Sequence, residues 1–349
     1  MPFTIAVLDH GYGQIDLERE LVAQAGGMLL DLRDLSEYDA LAAAQAEGIM
    51  VRRRVVDESQ LAAFKSAKII VRYGVGVDNI DVDAATRLKL LVGHVPVYCV
   101  DEVSNHAICL LLACVRELIP IHQKVSAGRW DLQRENPVHR TRGKTAGIVG
   151  LGNIGSDVAR KLKSWGMRLL AADPYIEPAK AAALGVELVP LEQLLRQSDF
   201  VTLHLPLLPE THHLINEAAL ALMKPSAILI NTARGPIVDT EALRRSLDAG
   251  RLHAAGLDVF EEEPIPATSP LLNHPSIVVT DHMGWYSEES LLDLRRQAVE
   301  EAIRGAIGKL PHYIANPDVL KALGRDHEWA PPEGARWWAR RAEALALAR

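Results

Sequence analysis

The run TAGIVGLGNIG, residues 145–155, narrows the folds open to this chain more than any other stretch. An apolar segment runs directly into Gly150, Gly152 and Gly155, spaced G-x-G-x-x-G, and these open the amphipathic segment NIGSDVARKLKSWG. A buried strand, a tight glycine turn and a helix in that order form the first half of a βαβ unit. The glycines let backbone approach a pyrophosphate, whose charge is met by the free N–H groups at the helix start. Eighteen residues after Gly155, Asp173 ends the next apolar run, MRLLAAD. A carboxylate there accepts hydrogen bonds from a ribose diol and repels a 2′-phosphate, and Pro174 stands where an arginine would serve that phosphate. The expected cofactor is therefore NAD(H), held by Gly150, Gly152, Asn153, Ile154, Gly155 and Asp173.

With 349 residues, 48% of them hydrophobic, the chain can fill two cores. From Thr145 the runs TAGIVG, MRLLAAD, DFVTLHL, SAILINT, HAAGLDV and SIVVTDH alternate with helical or loop segments, enough for one doubly wound sheet of six or seven strands. Before it, IAVLD, GIMV, KIIVRYG and LLVGHV form a smaller alternating set, with helices around 16–25, 58–66 and 81–88. VDEVSNHAICLLLACVRELIPIHQKVSAG reads as one long crossover helix. SEESLLDLRRQAVEEAIRGAIG reads as another, with Ser287 as N-cap and two glutamates in its first turn, returning the chain to the first set. The expected fold is α/β with two Rossmann-like domains: a doubly wound NAD-binding domain, 101–286, inserted in a smaller flavodoxin-like substrate domain, 1–100 and 287–320. Residues 321–349 form a tail holding Trp329, Trp337 and Trp338, three of the six tryptophans. Its end, ARWWARRAEALALAR, fits a short helix with Trp338, Ala342 and Leu345 on one face.

A formal net charge of −7 offers no basic surface for a phosphate backbone, which argues against direct nucleic-acid binding. The apolar stretch AICLLLACV is much shorter than the roughly 20 residues of a bilayer span, and no signal peptide is read at the start. Cys99, Cys109 and Cys114 show neither CxxC nor zinc-ligand spacing, so buried thiols, no metal and a cytoplasmic location are expected.

A dinucleotide site does not specify chemistry, and the remaining strand ends supply candidates. SAILINTARG ends with Arg234, HAAGLDVFEEEP carries Asp258 and Glu263, and SIVVTDH ends with His282. Ligands of doubly wound sheets bind at the carboxyl ends of strands, which brings these residues to one edge. Hydride transfer to a keto carbon needs a proton exchanger, a cation for a carboxylate and a group that orients the acid-base residue. His282, Arg234 and Glu263 match in that order. Histidine suits the first role because its reference pKa of about 6.5 lies near working pH. Taken singly, each has a bland reading: a solvated strand end, one of three loop glutamates, one of thirteen histidines.

GLGNIG, NTARGPIVD, GLDVFEEEP and DHMGW, in this order, resemble the signatures of the NAD-dependent D-isomer-specific 2-hydroxyacid dehydrogenases, and the likeness runs to about residue 320. The resemblance implies that Arg234 binds the substrate carboxylate and carbonyl, Glu263 hydrogen-bonds the imidazole and His282 is the acid-base. It also implies that Asp258 holds the nicotinamide carboxamide, that Pro206 and Thr232 contact the cofactor, and that the Val75 and Gly76 backbone cradles the substrate carboxylate. IIVRYGVGVDNID, THHLIN and GWYSEES look closest to the C-terminal-binding-protein branch. There Arg72 would reach the substrate carboxylate, and Trp285 would pack on its tail and favour an apolar one. The site is expected between the domains, in a homodimer formed through the cofactor domains. Two alternatives stay open: an NAD(H)-sensing, corepressor-like binding protein and a phosphoglycerate dehydrogenase, the latter with no clear basic cluster for a phosphate. One departure stands out. Asp281 replaces the family's proline before the histidine; on a continuing strand its side chain would face away from the imidazole.

Overall fold

Every ladder between strands in the computed structural model is parallel, and the described residues are 2–33, 37–130 and 138–332. They divide into two compact units. One runs from the N-terminus to Cys99 and resumes at Ser287; the other is Val100–Tyr286.

The first unit contains β1 (Thr4–Val7), β2 (Met28–Asp31), β3 (Gly48–Val51), β4 (Ile69–Arg72) and β5 (Leu91–Gly93), in the order β2-β1-β3-β4-β5. Strand β3 is buried along its length, as its unbroken apolar run GIMV requires when helices cover both faces. Strand β2 and the helix Glu37–Gln45 escape the sequence pattern. β2 is a four-residue edge strand with Met28 56% exposed, so burial leaves little mark on it. The helix Glu288–Ala306 packs on β3 and β4, and Ser287 caps it in a reciprocal capping box with Ser290. Beyond it the chain covers the free edge of β5: Ala315 N–H donates to the Val92 carbonyl at 2.8 Å, and Asn316 Oδ1 accepts the Val92 N–H at 2.8 Å. Trp329 Nε1 donates to the His312 carbonyl at 3.3 Å, so the start of the tail lies on this unit. Trp337, Trp338, Ala342 and Leu345 fall outside the described residues.

The second unit holds β6 (Thr145–Val149), β7 (Arg168–Ala172), β8 (Glu187–Leu188), β9 (Phe200–Leu203), β10 (Ile228–Asn231), β11 (Ala254–Leu257) and β12 (Ile277–Val279), ordered β12-β11-β10-β9-β6-β7-β8. After β6 the order grows in one direction through β7 and then in the other from β9. This reversal is the switch point at whose carboxyl edge ligands of such sheets bind.

The expected long crossover helix is two helices, Val100–Val115 and Leu118–Ser126, bent by 61°. Glu117 between them has left-handed backbone, φ 49°. The cause is Pro120, whose ring would strike the carbonyl of residue 116 in a continuous helix; in the first turn of a new helix its missing N–H costs nothing. Among the described residues no single helix is long and apolar enough to cross a membrane.

Candidate active site

Directly after β6 comes Gly150, φ 88°, a conformation that side chains with a Cβ avoid. A methyl group there would lie 2.5 Å from the His204 carbonyl oxygen, and one on Gly155 would overlap the Gly150 carbonyl. These two glycines bring the turn, the helix Asn153–Lys163 and the end of β9 into contact. Gly152 differs: nothing lies within 4 Å of the position its Cβ would take. No side chain caps this helix, a condition for anion binding at its start. Asp173 leaves β7 beside the turn and accepts the Leu151 N–H at 2.8 Å and the Tyr175 N–H at 2.9 Å. Thr232, just past β10, has its hydroxyl oxygen buried without a partner among the described residues. Pro206, past β9, is half-buried, and its carbonyl accepts the Thr211 hydroxyl at 2.8 Å. An open glycine, an uncapped helix and an orphaned hydroxyl fit a bound dinucleotide.

At the same carboxyl edge, His282 Nδ1 lies 2.6 Å from Glu263 Oε2. Glu263 Oε1 accepts the Phe260 N–H at 3.0 Å, so the carboxylate is tied to its own loop before it meets the ring. Burial pushes the Glu263 carboxyl up, but the hydrogen bond and charge of His282 prevail and hold it below the usual glutamate range. A carboxylate accepts only, so Nδ1 carries the hydrogen and Nε2 is the nitrogen left for proton exchange. Arg234 follows β10 with extended backbone and donates from Nη1 to the Ala233 carbonyl at 2.8 Å. Gly235 lets the next loop come close, because a methyl there would overlap the Phe260 backbone. The turn carrying Arg234 and the loop carrying Glu263 therefore meet backbone to backbone.

His282 does not end a strand. β12 stops at Val279, and His282 has φ 58°, the left-handed region, which costs a residue with a Cβ about 1–2 kcal/mol. The alternation argument for Asp281 therefore has no strand to act on; Asp281 is an exposed residue of this turn. Asp258 holds the turn. Its Oδ1 accepts the Thr280 hydroxyl at 2.6 Å and the Met283 N–H at 3.0 Å, and its Oδ2 accepts the Gly284 N–H at 2.9 Å. His106, from the helix Val100–Val115, places Nε2 2.9 Å from the Thr280 hydroxyl and 3.3 Å from Asp258 Oδ1. Burial raises the Asp258 carboxyl, but hydrogen bonds from His106, Thr280 and Gly284 outweigh it and keep the group ionised. Trp285 follows, half-buried, with its ring edge-on to Tyr286 at 5.5 Å.

Arg72, Val75 and Gly76 belong to the other unit, at the carboxyl end of β4. His94 Nδ1 donates to the Val75 carbonyl at 2.8 Å, and burial pushes this imidazole down to about 4, keeping it neutral. In a trans peptide the carbonyl and the following N–H point oppositely, so fixing the Val75 carbonyl on His94 turns the Gly76 N–H away from it, free for an anion. The sequence reading passed over His94, although it follows β5 and the strand-end rule that selected His282 applies to it equally. His106 and Thr280 were also missed. They stand 174 positions apart, and no local pattern joins them.

The family model for the NAD-binding domain of D-isomer specific 2-hydroxyacid dehydrogenases matches residues 108–284. A glyoxylate reductase of Korarchaeum cryptofilum is 39% identical over 269 residues, 76% of this chain and 81% of that protein. A D-3-phosphoglycerate dehydrogenase of Mycobacterium tuberculosis is 41% identical over 78% of this chain, which spans only 52% of that protein. Among solved structures, the Aquifex aeolicus D-lactate dehydrogenase complexed with NAD and lactic acid superposes with a TM-score of 0.79 at 28% identity, covering 91% of this chain and 98% of its own. With an NAD turn, an imidazole–carboxylate pair and this likeness together, the chain belongs to the D-isomer specific 2-hydroxyacid dehydrogenases, NAD-dependent oxidoreductases of 2-hydroxy acids.

Proposed function

We propose that the chain reduces a 2-keto acid to the D-2-hydroxy acid, with His282 as acid-base, Glu263 as its orienting partner and Arg234 as the cation for substrate carboxylate and carbonyl. The observation that carries this reading is the 2.6 Å pair between His282 Nδ1 and Glu263 Oε2. The unit Val100–Tyr286 would be the NAD-binding domain and the remainder the substrate domain, with residues 321–349 as its tail. Gly150, Gly152, Asn153, Ile154, Gly155, Asp173, Pro206, Thr232 and Asp258 would hold the cofactor, Asp258 while also fastening the 280–284 turn.

NADH held by these residues would supply the hydride for the keto carbon. The carbonyl electron pair moves to oxygen, Arg234 stabilises the growing negative charge, and the proton comes from His282 Nε2. Glu263 keeps Nδ1 protonated and the ring in one orientation throughout. On the first unit, the Val75 and Gly76 backbone, with the Gly76 N–H turned by His94, and Arg72 would bind the substrate carboxylate; on the second, Trp285 would pack on the substrate tail. Arg72 and Trp285 are taken from the C-terminal-binding-protein likeness, which rests on THHLIN and GWYSEES, whereas the relatives described above are a glyoxylate reductase and a phosphoglycerate dehydrogenase.

NADH oxidation across 2-keto acids of varied tail, run beside His282→Ala, tests the reading. The variant should lose about 10²–10⁴-fold in kcat while still binding NADH. Absence of turnover with every keto acid, despite NADH binding, would move the assignment to an NAD(H)-sensing binding protein.

We further propose a cytoplasmic homodimer. The helix Leu118–Ser126 buries none of its residues, Leu118 is 56% exposed and Trp130 84%, an apolar surface suited to a second copy. Leu118→Glu combined with Trp130→Glu should convert the dimer to monomer in sedimentation velocity; a wild-type monomer at micromolar concentration would refute this.

A further inference from the structure

After the helix Glu288–Ala306 the chain returns along the free edge of β5 as a strap, residues 310–316. Ile314 pairs antiparallel with Gly93, the last residue of β5, and Asn316 Nδ2 donates to the Leu90 carbonyl at 2.9 Å. That fastens the far end of the strap. At the near end a buried carboxylate does the same. Glu301, 3% exposed, accepts the His312 N–H on Oε2 at 2.6 Å, and His312 Nδ1 lies 2.8 Å from its Oε1. Arg304 Nε donates to the Leu310 carbonyl at 2.9 Å, and the Trp329 indole reaches the His312 carbonyl. Tyr313 stands between these two fastenings, so the backbone that carries it has little room to shift.

The half-buried Tyr313 ring meets His94 edge-on, with ring centres 6.4 Å apart and planes at 83°, inside the range of roughly 4.5–7 Å over which aromatic rings attract. His94 is fully buried and neutral, and its Nδ1 donates to the Val75 carbonyl. Only one orientation of the imidazole can do this: turned over, the ring would present a carbon to that carbonyl. In a close-packed interior a ring keeps its orientation because its neighbours leave no space to turn. Tyr313 is such a neighbour, delivered to β5 by a segment more than two hundred positions away in sequence.

We propose that Tyr313 is a positioning residue for substrate recognition: packed against His94, it keeps that imidazole on the Val75 carbonyl and so keeps the Gly76 N–H turned outward, while Glu301 and His312 pin the strap that presents it. The inference rests on the proposed 2-keto acid reduction, in which the Val75 and Gly76 backbone receives the substrate carboxylate. Every residue of this relay lies in the first unit. The rival is a Tyr313 that only fills space beside β5. Its loss would then lower stability and leave substrate affinity where it was.

The test compares kcat, keto-acid KM and NADH affinity in Tyr313→Leu, Tyr313→Phe, His94→Phe and the Tyr313→Leu/His94→Phe double variant, with a 2-keto acid that the wild type reduces. His94→Phe takes the donor from the Val75 carbonyl and should raise KM by about two- to tenfold, the range of one neutral hydrogen bond, with kcat and NADH affinity nearly retained. Tyr313→Leu should raise KM up to the same factor, and Tyr313→Phe, which keeps the ring, should recover the wild-type value. Because the two residues act in series, the double variant should be no worse than His94→Phe alone. Factors that multiply, or a Tyr313→Leu KM equal to wild type, overturn the relay while leaving the reductase reading intact. Should Tyr313→Leu fail to fold, His312→Ala at its exposed position replaces it. That variant should raise KM in the wild-type background and not in His94→Phe, and a KM it does not move overturns the relay. If no keto acid turns over, the reductase reading fails by itself, and calorimetry of the NADH complex with oxamate, an inert 2-keto acid isostere, decides. Binding weakened in Tyr313→Leu and restored in Tyr313→Phe upholds the relay; binding that is absent or equal in all of them overturns it.

Discussion

The proposed proton-transfer unit rests on one contact between residues nineteen positions apart. A hydrogen bond to a charged group contributes about 1.5–3 kcal/mol net, all of which is lost when the bond is broken. Glu263→Gln should therefore lower kcat by roughly 10–100-fold with little change in KM, because the amide no longer enforces the Nδ1–H tautomer. The pair also has a pH signature. Since the folded Glu263 carboxyl lies below its ordinary value, the stability it contributes is complete above about pH 4.3 and fades as pH falls through the lower folded value. Melting temperatures of wild type and Glu263→Gln should differ most near neutrality and converge in acid. The residue types of this unit were readable in sequence because GLDVFEEEP and SIVVTDH each end an apolar run. The left-handed backbone of His282 was not, since a histidine tolerates that conformation only where other residues enforce it.

Enforcement is the work of elements brought together from far apart. A donor chain runs from His106 on the helix Val100–Val115 through the Thr280 hydroxyl to Asp258 after β11, and Asp258 fastens Met283 and Gly284 on the far side of His282. Thr280→Val keeps the shape and deletes the middle link, leaving a buried carboxylate short of a donor. Stability should fall by about 1–3 kcal/mol in urea unfolding, with kcat reduced and NADH affinity nearly retained. A kcat equal to wild type would mean that the turn holds itself. The same scale explains the misread crossover. Periodicity alone joined Val100–Val115 to Leu118–Ser126, whereas Pro120 forbids the continuous helix and breaks it at Glu117.

At the scale of the whole molecule, the first unit is built from both ends of the chain. Its helices Asp16–Gln24 and Glu288–Ala306 are locked by Arg295, whose Nε and Nη2 meet the two Glu18 oxygens at 2.8 and 2.6 Å. Glu18 is fully buried, so Arg295→Met strands a charge and should cost about 3–5 kcal/mol in chemical denaturation. Glu18→Gln added to it should recover part of that loss. Sequence by itself determined the glycine turn, the two alternating sheets and the residue types of the imidazole–carboxylate pair. Each is written in contiguous residues whose spacing matches a backbone period or a turn. Tertiary structure decided what holds these parts in place: His94 behind the Val75 carbonyl, and His106 and Thr280 behind Asp258. Those contacts join side chains from separate strands and helices, and their distances are set by how sheets and helices pack, a quantity that no local pattern of residues encodes.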